Sequence, residues 1–244
     1  MFIQYLEQIQ EGAIAAYPNE AVWFITEAGC TEVENIHEHP DKYFAVKDSD
    51  HRRAMAEGLL AVVHSHPDNI AAPSSLDMQG QISTNVPWGI IATDGTVAHD
   101  LIWWGKGAPK HPLLGRPFRH GVTDCYSLIK DYYEMELGID LPEFPRDWEW
   151  WKEGQQNLFE QGFEKAGFER IDASEAKPGD VWLARLGGEM DVANHGGVLL
   201  QDELMIHQIG AKDPVDFSRL SAREPIYRYM PHITHWLRYT GSVK

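Results

Sequence analysis

The chain has 244 residues, enough for two domains of ordinary size or one large one, and its 43% hydrophobic and 24% charged residues mark a globular rather than a disordered chain. A formal net charge of −16 argues against a nucleic-acid binder, which needs a basic footprint, and against docking on an anionic membrane. Two cysteines, Cys30 and Cys125, are too few for a disulfide framework and make a reducing compartment the default expectation.

The N-terminus carries acidic and amide residues where a signal peptide would have a basic start and an unbroken apolar core, so no targeting sequence is expected there. Phe2, Leu6, Ile9 and Ala13 recur at helical spacing and predict an amphipathic helix that stops before Pro18. No apolar run approaches the length of a membrane-spanning helix. Ala21-Val22-Trp23-Phe24-Ile25 reads as a strand, with Glu20 at its start. Thr31 to Ile36 is too polar for a buried strand, Tyr43-Phe44-Ala45-Val46 is a strand candidate, and Ser49 to Gly58 predicts a helix capped by Ser49 or Asp50.

Leu59-Leu60-Ala61-Val62-Val63 is a continuous apolar run that reads as a buried strand, and it continues into His64-Ser65-His66-Pro67. Residues two apart on a strand face the same side, so His64 and His66 present both imidazoles to one point while Ser65 turns away. Asp77 follows eleven residues after His66, far enough for a loop to return a carboxylate to that point. Two imidazoles and one carboxylate make a three-ligand set for Zn²⁺ that leaves the fourth position for water, the arrangement of a catalytic rather than a structural site. His37 and His39 repeat the pair spacing, and Asp50 stands eleven residues after His39. There, however, Lys47 occupies the position that corresponds to Ser74, and an ammonium repels a nearby dication. His37 and His39 are therefore expected at the surface or on the substrate side.

His64-x-His66, Ser74 and Asp77 at this spacing resemble the signature of the JAMM (MPN-plus) zinc metallopeptidases, which cleave peptide and isopeptide bonds. The resemblance implies a mixed sheet flanked by helices. It also implies a general-base glutamate near the N-terminus, here Glu20, and a serine that steadies the tetrahedral oxyanion, here Ser74. Val22-Trp23 stands where the family usually has Cys-Gly.

A helix is expected after Asp77, followed by strands at Trp88 to Ala92 and Leu101 to Trp104. These alternating elements make the first half an α/β unit. The Gly-, Pro- and charge-rich stretch from Gly105 to Pro112 is the clearest linker, and the expected division is residues 1–106, a linker at 107–116, and residues 117–244.

In the second half, Gly121-Val122-Thr123-Asp124-Cys125 reads as a turn into a helix with Thr123 or Asp124 as N-cap, an apolar face at Leu128, Ile129, Tyr132 and Tyr133, and an end at Gly138. Cys125 then sits in the first turn, where the helix dipole favours the thiolate that a nucleophile needs. The competing reading is a buried structural cysteine. Pro178-Gly179-Asp180 leads into a strand, His195 starts a second strand, and His207 ends a third. A hairpin over 195–207 places both histidines near one end of adjacent strands, where one pairs with the thiolate and the other orients the first.

Asp124-Cys125 at a helix start, Pro178-Gly179-Asp180, His195-x-Gly-Val-Leu and His207 resemble the NlpC-type cysteine peptidases. These are papain-like α+β enzymes that cut the peptide stems of bacterial peptidoglycan. The resemblance implies Cys125 as nucleophile, His195 as base and His207 as the third polar residue. Tyr126-Ser127 replaces the usual Ser-Gly, and Phe118 stands where the family often has a tyrosine. The aromatics from Trp148 to Trp151 are expected to serve packing.

The two domains in this order resemble the tail assembly proteins of lambda-type siphophages. That likeness implies other tail tip proteins as partners and peptidoglycan peptide stems as substrate. It also implies a place in the host cytoplasm during assembly and in the tail tip afterwards.

Overall fold

The computed structural model describes residues 1–152, 156–188 and 191–241, which separate into two units, Met1–Pro109 and Lys110–Lys244. In the first unit the apolar run forms the central strand of a five-stranded mixed sheet. Its strands are β1 (Val22–Thr26), β2 (Gly29–Val33), β3 (Leu59–His66), β4 (Trp88–Ala92) and β5 (Ile102–Trp104), in spatial order β2-β1-β3-β4-β5. The β3–β4 pair is parallel and the other three pairs are antiparallel. A parallel pair needs a crossover, and it is supplied by α3 (Ser75–Thr84).

Helix α1 (Leu6–Ala16) presents Ile9 and Ala13 to one face of the sheet, where Trp23, Ile25, Ala61, Val63 and Ile91 complete a core. Every residue of β1 and of β4 is buried, which explains why both read as unbroken apolar runs rather than alternations. The opposite face carries the even positions of β3, among them His64 and His66.

Three local expectations change. Tyr43 to Val46 joins no ladder, because the Asn35 side chain binds the Tyr43 carbonyl at 3.1 Å and the Ala45 N–H at 3.1 Å, taking groups that a partner strand would use. Helix α2 (Asp48–Ala56) begins at Asp48 with Lys47 as N-cap, so Ser49 and Asp50 lie within its first turn. Asp77 lies inside the first turn of α3 rather than before it. Ser74 is the N-cap, and the two residues form a reciprocal capping box.

The second unit has a six-stranded sheet formed by β7 (Phe168–Ile171), β8 (Val181–Ala184), β9 (His195–Leu199), β10 (Leu204–His207), β12 (Ala222–Pro225) and β13 (Ile233–Tyr239). Its order is β12-β10-β9-β8-β13-β7, antiparallel throughout, and β6 (Pro117–Arg119) pairs separately with β11 (Val215–Leu220). Helix α4 (Cys125–Leu137) starts on the side chain of Asp124, which accepts the Ser127 N–H, and ends where Gly138 takes a φ of +68°. Leu128, Ile129 and Tyr133 bury its apolar face against Val181, Leu183, Val198, Ile206 and Leu237, a burial worth about 1.5–3 kcal/mol for each large aliphatic side chain. On the other face of the sheet Trp182, Met205, Ile226 and Trp236 form a second cluster. A short helix, α5 (Leu158–Gly162), sets Phe159 against the α4 side.

Candidate active sites

The alternation of β3 does what period two requires. His64 and His66 point to one side with their Nε2 atoms 3.0 Å apart, and Ser65 on the other side accepts the Ala21 N–H at 2.8 Å. That bond, the 2.9 Å bond from the Ser65 N–H to the Ala21 carbonyl, and the 2.7 Å bond from the Glu20 N–H to the Pro40 carbonyl fix the backbone around Glu20. Its carboxylate reaches to 4.0 Å from His66 Nε2. The first turn of α3 brings Asp77 back to the same point, with Oδ1 3.3 Å from His64 Nε2 and Oδ2 3.7 Å from His66 Nε2.

Among the described residues His64, His66 and Asp77 are the one group of histidine, cysteine and acidic side chains whose donor atoms gather as a metal-binding set, all within 4.8 Å of one another and all buried. Ligands held at about 2.0–2.2 Å by a tetrahedral ion stand roughly 3.3–3.5 Å apart, which is the scale of the separations here. His66 Nδ1–H donates to the Ile70 carbonyl at 2.7 Å, which orients the ring so that Nε2 is the nitrogen facing the cluster. Phe44, Trp88 and Trp104 pack around the His64 ring and keep that side dry.

The electrostatics point the same way. Burial works against a charge on either ring, yet at His66 the Asp77 and Glu20 carboxylates outweigh it and push the imidazole up to about 9, whereas His64 stays lowered. The cluster therefore favours one positive charge. Burial pushes Glu20 up to about 8, with His66 opposing and Asp77, Asp68 and Asp41 adding to the rise.

Ser74 lies beside this cluster, but its hydroxyl donates to Asp77 Oδ2 at 2.7 Å and its N–H donates to the same oxygen at 2.8 Å. In this state the serine holds the carboxylate. The S-x-x-D pattern of a capping box is visible in the sequence, although the commitment of the hydroxyl is not. His39 is exposed and His37 partly so, and neither joins the cluster.

In the second unit Asp124, Cys125 and His195 line a cavity of about 350 Å³ whose other walls are mainly apolar, with Phe144, Trp150, Trp151 and Phe159 among them. Trp150 and Trp151 thus border the cavity, while Trp148 packs edge-on against Phe118 and His120. His195 Nε2 lies 3.0 Å from His207 Nδ1, both buried, and Trp182 covers the two rings. This closeness depends on Gly197. A Cβ there would stand 2.5 Å from the Ile206 carbonyl oxygen and 2.9 Å from His207 Cβ.

The thiol differs from the expectation drawn from its helix position. Burial and the adjacent Asp124 carboxylate push Cys125 up to about 12, against the pull of Arg146 and of the Gly196 and Tyr126 N–H groups. Burial and His207 push His195 down to about 3. Both shifts favour the neutral forms, a thiol at Cys125 and an imidazole at His195. First-turn placement is a local argument, and here the surrounding packing and one carboxylate outweigh it.

Three groups at this site lie outside the motifs read from the sequence. Arg146 clamps Asp124 through Nε at 2.9 Å and Nη2 at 3.1 Å, both groups being buried. His120 bonds the Arg146 carbonyl at 3.0 Å and lines the cavity. Glu224 lies 3.6 Å from His207 Nε2. None sits at a recognisable spacing, since Pro145-Arg146-Asp147 and Arg223-Glu224-Pro225 read as ordinary polar loops.

The profile described as "Prokaryotic homologs of the JAB domain" matches residues 4–104, and that of the NlpC/P60 family matches residues 115–234. Tail tip assembly protein K of Escherichia phage lambda is 37% identical over 155 residues, covering 64% of this chain and 72% of the relative. The protein of the same name from Escherichia phage N15 is 28% identical over 237 residues, 92% of this chain and 89% of the relative. Among solved structures, NlpC1 from Trichomonas vaginalis aligns with a TM-score of 0.35 at 18% identity, over 52% of this chain and 40% of its own.

Proposed function

We infer that this chain, which belongs to the tail tip assembly protein K family, is a tail tip assembly protein bearing two peptide hydrolases. The N-terminal unit acts as a zinc-dependent peptidase or isopeptidase. The C-terminal unit acts as a cysteine endopeptidase on cell-wall peptide stems during entry. The observation that carries this reading is the buried His64/His66/Asp77 cluster with the Glu20 carboxylate 4.0 Å from one of its rings. Other tail tip proteins are the proposed partners. The host cytoplasm during assembly, and then the tail tip, is the proposed location.

His64, His66 and Asp77 would hold Zn²⁺, which would supply Lewis acidity and make water a better nucleophile near neutral pH. Glu20 takes a proton from the attacking water and returns it to the leaving amine, a double duty suited to a carboxyl pushed up to about 8. Ser74 reaches a developing oxyanion by turning its hydroxyl away from Asp77, whose Oδ2 keeps the Ser74 N–H at 2.8 Å. In the second unit Cys125 attacks the peptide carbonyl as His195 accepts the thiol proton, and His207 holds the imidazole in place.

Glu20→Gln keeps the shape and removes the base. The variant is expected to bind zinc as the wild type does and to lose peptide hydrolysis by about 10²–10⁴-fold. Metal content and turnover measured on the same preparation check this, and undiminished turnover rejects Glu20 as the base.

A second reading, a tail tip scaffold or chaperone with weak or inactive domains, is favoured by two observations. Burial and the Asp124 carboxylate push the Cys125 thiol up, away from thiolate, and Phe118, in the same cavity lining, brings no hydroxyl. On that reading neither Glu20→Gln nor Cys125→Ala changes tail assembly, and the purified chain hydrolyses nothing.

A further inference from the structure

His207 stands opposite Gly197 on β9 and opposite Ala222 on β12. Two residues along each flanking strand lie its diagonal neighbours, His195 on one side and Glu224 on the other, within reach of long side chains. The three form a row across the sheet, with His195 Nε2 at 3.0 Å from His207 Nδ1 and His207 Nε2 at 3.6 Å from Glu224 Oε2. The Tyr229 hydroxyl donates to the same Glu224 oxygen at 3.4 Å, and Arg228 Nη1 lies 3.9 Å from the other. Glu224, His195 and Tyr229 are thus the titratable groups facing His207, and Arg228 is the charge beyond them.

The protons in this row can be assigned one by one. An ionised carboxylate only accepts, so Glu224 at 3.6 Å favours the His207 tautomer with hydrogen on the nitrogen that faces it, Nε2. Neutral His207 then has a bare Nδ1, and the 3.0 Å contact is filled by His195 Nε2–H. The remaining nitrogen of His195, Nδ1, is then bare and is the one available to a proton from Cys125, which lines the same cavity. We propose that Glu224 is a positioning residue that sets the tautomers of both histidines, so that the thiol meets a proton acceptor rather than an N–H. The proposal rests on the reading of this unit as a cysteine hydrolase. In the step it serves, the S–H bond breaks, its proton passes to His195 Nδ1, and the sulfur lone pair forms the bond to the carbonyl carbon while the C=O π pair moves to oxygen. Without Glu224, His207 is free to carry its proton on Nδ1 and donate to His195 Nε2. His195 then holds its own proton on Nδ1, and its one basic nitrogen, Nε2, is occupied by His207.

The test uses the full chain and needs no substrate. Iodoacetamide labelling of Cys125, read by peptide mass spectrometry so that Cys30 is counted apart, is measured across pH for wild type, Glu224→Ala, Glu224→Gln and His195→Ala. Nitrogen-15 spectra of the histidines report the tautomers. The expected result is labelling of Cys125 slowed about 10–100-fold in Glu224→Ala, with a mixture of tautomers at His195 and His207. Glu224→Gln, whose amide oxygen still accepts from Nε2–H, is expected to restore the wild-type tautomers and most of the rate. Wild-type tautomers and rate in Glu224→Ala, with labelling still slowed by His195→Ala, overturn the role of Glu224 alone. Labelling untouched by His195→Ala overturns the cysteine-hydrolase reading and this proposal with it.

Discussion

Cys125→Ala protein is expected to release no peptide from purified cell-wall sacculi, and His195→Ala to fall nearly as far. Removing one member of a nucleophile–base pair disables the other, so each single variant and the double variant should all lie roughly 10⁴-fold or more below wild type. The pH profile carries further information. With the thiol pushed up to about 12 and His195 pushed down to about 3, the neutral pair persists between those limits. A plateau across roughly pH 5–9 is therefore expected where an unperturbed histidine would give an acid limb near 6.5. An acid limb at that ordinary value would contradict a His195 pushed down by burial and His207. Lysis by Cys125→Ala would show that the bond is cut elsewhere.

The second large effect lies one residue before Cys125, at Asp124. Arg146→Met is expected to destabilise the C-terminal unit by about 3–5 kcal/mol at neutral pH, because it leaves the buried Asp124 carboxylate without its partner. Burial alone would raise Asp124, and the Arg146 guanidinium, with His120 and the Ser127 N–H, holds it well below the usual carboxylate range. In wild type that depressed value contributes stability above about pH 4, which is lost as pH falls further towards the folded-state value. In the variant Asp124 rises above its unfolded value, so the loss of stability is greatest at neutral pH and recedes as acid protonates the carboxyl. Hydrogen exchange of the α4 amides as a function of pH measures the difference. A gap between wild type and variant that stays constant from pH 7 to 4 would mean that the guanidinium acts only through packing.

Much of the N-terminal unit is legible in the chain itself. The apolar run of β3 and the alternation His64-Ser65-His66 are local features, and the histidines point where alternation requires. The capping box that turns Asp77 inward is a local pattern too, although its cost, the commitment of the Ser74 hydroxyl, appears only with coordinates. Tyr43 to Val46 has a strand's composition, but the Asn35 amide eight residues earlier takes its backbone groups, and no window of apolar residues shows that.

The second unit is harder to read because its decisive contacts are remote in sequence. Glu224 meets His207 only through the pairing of β10 with β12, and Arg146 meets Asp124 from a loop beyond α4. The ionisation of Cys125 follows the same rule. Position in a helix is local and predicts a low value, whereas burial and a neighbouring carboxylate belong to the folded unit and raise it.

The most direct test is the metal content of the full chain, purified with zinc supplied and then dialysed to remove loosely held ions. One zinc per chain is expected in wild type, with essentially none in His64→Ala or Asp77→Ala. Wild-type protein that retains no zinc, or variants that retain as much as wild type, would contradict the assignment of these three side chains as ligands.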